Sequence, residues 1–183
     1  MATRLLPDRL DLRHLAQSAD TLTGDDALTV LPRLAAEAAD AESRRVRWTA
    51  RAEWRRAAEV PGAKAVQAPV LWLHLGAATE LPLTCQRCLT PVVVPLAVDR
   101  WFRFVADEAT ADVEDEDSEE DVLVFQPAFN LLELIEDELI MAQPLVPMHE
   151  VCPTVLPTSA GPVLEEGPAK ANPFAVLQQI KKG

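Results

Sequence analysis

The 183-residue chain has no tyrosine and only six glycines, three histidines and three cysteines. No apolar run approaches the roughly 18 residues that a membrane-spanning helix needs. The N-terminus, MATRLLPDRLDLRHL, also lacks the apolar stretch of a secretory signal, so the expected location is the cytoplasm, with no membrane association. Three cysteines, two of them in Cys85-Gln86-Arg87-Cys88, are too few and too unevenly placed for a disulfide framework. Histidine is scarce, and Gly-x-Ser-x-Gly, Walker, Rossmann and His-Glu-x-x-His patterns are all missing, which leaves no recognisable catalytic constellation. Basic residues are in the minority: 17 Lys and Arg face 29 Asp and Glu, for a net charge of −12. A polyanion would have to find a local basic patch, because the chain as a whole repels it. Fifteen prolines argue against a simple helical bundle and for short elements joined by loops.

The charge is unevenly spread. Residues 1–66 carry 11 basic and 10 acidic side chains, residues 67–106 carry 3 and 2, and residues 107–183 carry 3 and 17. Between Arg45 and Arg55 the residues alternate strictly. Val46, Trp48, Ala50, Ala52 and Trp54 fall on one side, and Arg45, Arg47, Arg51 and Arg55 fall on the other with Thr49 and Glu53. Period two predicts a strand with the tryptophans in a core and the arginines on an outer stripe. Val70–Leu75 is apolar on both faces, as a central strand would be, and His74 within it is expected to be a satisfied core histidine. Leu81–Cys85 and Val92–Val105 read as further strands, the latter interrupted near Pro95. Short connections predict antiparallel pairing.

Helices are expected over Pro7–Gln17 and, with Pro32 as an awkward interior residue, over Asp25–Ala39. Residues 107–121 hold ten acids, whose mutual repulsion predicts an open, solvated, disordered loop. Val122–Phe125 reads as a short strand. Asn130 and Glu133 then form a capping-box pattern that opens a helix to about Ala142, stopped by Gln143-Pro144. The expected organisation is one α+β domain over 1–152, a mobile Pro-rich linker over 153–171 and a short helix over 172–183. In that helix Phe174, Leu177 and Ile180 make one apolar edge for partner docking. The sheet is expected to be antiparallel, or a partly closed barrel, flanked by helices.

Four features in fixed order, Leu83-Thr84-Cys85-Gln86-Arg87-Cys88-Leu89, the acidic insert, Asp137–His149 (DELIMAQPLVPMH) and NPFAVL from Asn172, resemble the bacterial large ribosomal RNA subunit accumulation protein family, also called YceD-like. The resemblance spans roughly residues 80–183. It implies a cytoplasmic, non-enzymatic accessory factor for the synthesis, processing or stability of large-subunit (23S) ribosomal RNA, and it carries over no catalytic residue.

The candidate sites each admit more than one reading. Cys85 and Cys88 have zinc-knuckle spacing, and with His149 and Cys152 they would make a Cys3His set for a structural zinc. Alternatively they are small reduced thiols in a turn, or a redox pair. Arg45, Arg47, Arg51 and Arg55 suit forked contacts to RNA phosphates; alternatively they are an ordinary solvated strand face, or one that the acidic run neutralises. The partner is accordingly either the large-subunit rRNA precursor or a basic ribosomal protein captured by the acidic loop and the C-terminal helix. No small-molecule substrate is expected. The carboxylates sit in a segment too open to hold acid–base geometry.

Overall fold

The computed structural model describes residues 6–38, 40–56, 69–116 and 118–154. The chain divides into two compact units, Met1–Cys152 and Pro153–Gly183. The expected linker beyond residue 154 and the Phe174/Leu177/Ile180 helix lie outside the described residues.

The fold is α+β: an open five-stranded sheet, in the order β1-β2-β3-β4-β5, with helices packed mainly on one face. The strands are β1 (Thr21–Ala27), β2 (Arg45–Arg55), β3 (Val70–Thr84), β4 (Pro91–Val105) and β5 (Asp121–Val124). The first four pair antiparallel, and β5 runs parallel to β4. The sheet is therefore mixed and does not close into a barrel. Helices α1 (Leu12–Ser18), α2 (Pro32–Glu37) and α4 (Leu131–Met141) bring Leu12, Leu15, Leu34, Leu131, Ile135 and Leu139 into one core. Their sheet partners are Val46, Trp48, Leu71, Leu73, Leu75, Phe102 and Phe104, the inward half of the alternation.

Several expectations need correction. The segment from Asp25 is not helical, because Thr21–Ala27 pairs with β2 as an edge strand. Pro32 opens α2 at the first helical turn, where its missing N–H costs nothing. The α2 N-terminus is capped from afar by Glu136, whose buried carboxylate accepts from the Arg33 and Leu34 N–H groups at 2.6 and 3.1 Å. Pro95 does not interrupt β4. It lies opposite Glu80, beyond the reach of β5, where the strand has a neighbour on only one side and a missing donor is tolerated. Trp48 is buried and donates its indole N–H to Asp26 at 2.8 Å. Gly24 lies directly opposite, and any Cβ there would collide with the indole. Trp54 is 40% exposed, since it stands at the end of β2, past the reach of the helices.

The acidic segment is the largest correction. Residues Glu108–Asp115 form helix α3, and the segment as a whole is the crossover that lets β5 join β4 in parallel. Three local causes outweigh the repulsion. Asp107 caps the helix by accepting from the Thr110 N–H at 2.9 Å, and acids in a first turn favour the helix dipole. Ala111 is buried. Arg103 of β4, almost fully buried, pairs with Glu114 and with Glu120 and donates to Ser118.

Candidate functional site

Beyond Ala78, β3 loses its pairing with β2, so residues 79–84 and 91–96 continue as a two-stranded ribbon. Cys85-Gln86-Arg87-Cys88 forms the turn at its tip. The turn is closed by backbone bonds from the Cys85 N–H to the Thr90 carbonyl (2.9 Å) and from the Leu89 N–H to the Cys85 carbonyl (2.8 Å). Leu89 takes a left-handed φ of 58° to complete it. A two-stranded ribbon is marginal by itself. This one is clasped by the stretch after α4, where the Gln86 N–H donates to the Pro147 carbonyl at 2.9 Å.

That clasp brings His149 and Cys152 to the knuckle. One ligand atom from each of Cys85, Cys88, His149 and Cys152 lies within 4.8 Å of all the others. Cys88 Sγ is 3.4 Å from His149 Nδ1, against the edge of about 3.5 Å that tetrahedral zinc with its usual bond lengths would impose. The donor set fits zinc: three sulfurs and one imidazole, with no hard oxygen ligand. The electrostatics are already biased toward the bound form. Burial acts to raise the Cys85 thiol, but N–H groups of Cys88, His149 and Arg87, together with the His149 ring, outweigh it and bring the pKa down to about 5. The Thr90 hydroxyl lowers Cys88, and the hydrogen bond to Cys85 raises His149. Cys152 goes the other way, raised chiefly by burial.

The arginine stripe lies on the sheet face opposite the main helical layer. Arg45 pairs with Asp25 at 2.7 Å and Arg55 with Glu53 at 2.7 Å. Among the described residues Arg47 and Arg51 have no carboxylate partner. Among the described residues the acidic segment makes no ion pair with the stripe; its ion pairs go to Arg103 and, through Asp121, to Arg100. Sequence reasoning missed the aromatic half of this face. Trp72, His74 and Trp101 are on it, and Trp101 holds the Arg51 and Arg55 guanidiniums over its ring at 5.0 and 3.9 Å. His74 is not a core residue. It meets Trp101 at 4.7 Å between ring centroids and bonds to the exposed Asp99 at 2.6 Å, on the side of β3 away from the core that α1, α2 and α4 cover. The alternation Asp99, Trp101, Arg103 was visible in the sequence, but which face it shared with the arginines depended on the β3–β4 register.

Among the described residues, no helix is long and apolar enough to cross a membrane. Residues 73–181 match the family model described as "Large ribosomal RNA subunit accumulation protein YceD". A curated relative with the same description, from Haemophilus influenzae, is 38% identical over 113 residues, covering 56% of this chain and 61% of the relative. The match thus spans less than two thirds of that relative's length. No solved structure matches the chain. The family match agrees with the resemblance carried by the four sequence motifs.

Proposed function

We propose, from the premise that this chain belongs to the large ribosomal RNA subunit accumulation protein YceD family, that it is a cytoplasmic, non-enzymatic factor promoting accumulation of large-subunit rRNA. In this reading it contacts the precursor RNA directly. The family's description supports a ribosome-related role. The observation that carries direct contact is the open sheet face, where Arg47 and Arg51 stand without carboxylate partners among the described residues while Arg45 and Arg55 flank them. Guanidinium groups held this way offer forked donors to phosphate oxygens without first breaking an internal ion pair.

One observation favours a second reading, an adaptor for a basic ribosomal protein. Helix α3 and the residues after it expose Glu108, Asp112, Asp115, Glu116 and Glu119. Ultraviolet cross-linking in living cells, followed by sequencing of attached RNA, separates the two. Direct contact predicts tags concentrated on large-subunit precursor RNA, lost when Arg45, Arg47, Arg51 and Arg55 are changed to Glu. An adaptor predicts background tags and normal rRNA levels in the same variant.

The Cys3His cluster supports a structural zinc that clasps the ribbon tip to the segment after α4. Metal analysis of protein purified without chelator should give about one zinc per chain, in line with a closed four-ligand site. Zinc far below that, together with unchanged stability in Cys85→Ser, would leave the cysteines as reduced thiols.

A further inference from the structure

We infer that the outer sheet face is a platform for unpaired RNA, with Trp101 as its stacking centre and Arg47 and Arg51 as its phosphate contacts. The inference rests on the direct-contact reading above and adds the class of RNA and the residues that select it. Cross-strand register sets Arg51, His74 and Trp101 in one row across β2, β3 and β4. In the neighbouring row Trp72 and Arg103 are buried, Arg103 against Glu114 and Glu120, so they back the platform instead of facing solvent, and Arg55 bridges the two rows by lying 4.3 Å over Trp72 and 3.9 Å over Trp101. Planar groups therefore lie against planar groups over three strands. Unpaired bases bind such surfaces because every base has a π-face that stacks on aromatic rings or guanidinium planes.

Beside this row the side chains shrink. Gly76, Ala78 and Ala97 line a shallow trough of about 610 Å³, with Arg47 and Thr49 on one side and Val98 and Asp99 on the other. A Cβ at position 76 would come within 2.9 Å of Thr49 Oγ1, so the glycine keeps the trough open. A single base can lie flat there, whereas a base already paired within a duplex is held away by its own backbone. Asp25 and Asp99 also border the trough. Asp25 is held by Arg45 and Asp99 by His74, which leaves Arg47 as the cation facing it without a carboxylate partner among the described residues. The Trp72 indole lies beneath Arg55, and its buried N–H has no acceptor among the described residues.

The test uses the full chain and two fluorescein-labelled probes, an oligouridylate of about 12 nucleotides, within the range of a single-domain site, and an RNA duplex of equal length, read by anisotropy over a salt series. The single strand should bind about tenfold more tightly than the duplex, and Trp101→Ala should weaken it about tenfold, the scale of one lost stack. Trp101→Phe should stay within about threefold of the parent, since a ring remains to stack. Arg47→Ala should flatten the salt dependence by about 0.7 in logarithmic slope, one phosphate's worth on a single strand. Trp101→Leu, which keeps bulk without a stacking face, replaces the alanine variant if circular dichroism shows that the latter unfolds. Equal binding of both probes, or parent-like affinity in folded Trp101→Ala or Trp101→Leu, overturns the platform. If the Arg47→Glu/Arg51→Glu double variant still abolishes binding in that case, direct RNA contact survives without it. Failure of the parent chain to bind either probe overturns both.

Discussion

At Leu89 a β-carbon occupies a left-handed backbone position because the knuckle turn closes there and nowhere else. The side chain is 74% exposed, so little packing compensates. Leu89→Gly should therefore stabilise the protein by up to about 1 kcal/mol, measured by urea unfolding, because glycine carries no steric penalty at that φ. Cys85 and His149 make a second prediction. A thiol depressed to about 5 contributes stability that is present above its ordinary value and is lost as pH falls through about 5. A raised histidine contributes stability that is present below its ordinary value and is lost as pH rises through its folded pKa. Chelator-treated protein should thus lose stability on acidification, with the melting temperature falling as the Cys85 contribution is withdrawn from the ordinary thiol range down through about pH 5. Above the ordinary histidine range the raised His149 works against this trend, and His149→Asn should remove that opposing loss. With zinc present, protons compete with the metal, so acidification toward pH 5 should release it.

Among the elements, α3 shows how a neighbour can overturn composition. Ten acids within 107–121 predict repulsion, and in isolation that prediction is sound. Buried Arg103 changes the balance by drawing Glu114 and Glu120 onto β4. Arg103→Met should melt α3, seen as fast hydrogen exchange over residues 108–115, and lower global stability by about 2–3 kcal/mol. This is less than a fully buried network would lose, because Glu114 remains partly solvated. An unchanged exchange pattern would mean that the cap and Ala111 suffice. The ribbon formed by the ends of β3 and β4 makes the complementary point. Its residues favour strands, but its stability depends on what holds its tip.

For the molecule as a whole, the two faces of one sheet divide the work. The inner face is covered by α1, α2 and α4 and carries the core, while the outer face, where α3 reaches Arg103 of β4, presents Arg47, Arg51 and Trp101. The knuckle ties the ribbon to the chain beyond α4, so metal removal should act at a distance from the ligands. Chelation is expected to lower stability by about 3 kcal/mol or more, roughly 10 °C in melting temperature for a chain of this size. Hydrogen exchange should rise first in residues 79–97 and 145–152. Exchange confined to the cysteine turn would show that the clasp is local.

Whatever depends on local periodicity was readable in the sequence itself. The strict alternation of 45–55 specified β2 and its two faces, Asn130 marked the start of α4, and the Cys85/Cys88 and His149/Cys152 pairs were visible as half-sites. The ordered motifs likewise pointed to the family. Tertiary structure decided what depends on residues far apart in the chain. The β3–β4 register put Trp101 beside Arg51, a distant carboxylate on Glu136 capped α2 at Pro32, and Arg103 turned an acidic run into a helix. Among the described residues α1, α2 and α4 cover one side of β3, and His74 lies on the other rather than in the core. The physical reason is one of range. Steric preference and hydrophobic period act within a few residues, whereas charge pairing, register and burial act between segments that only the folded chain brings together.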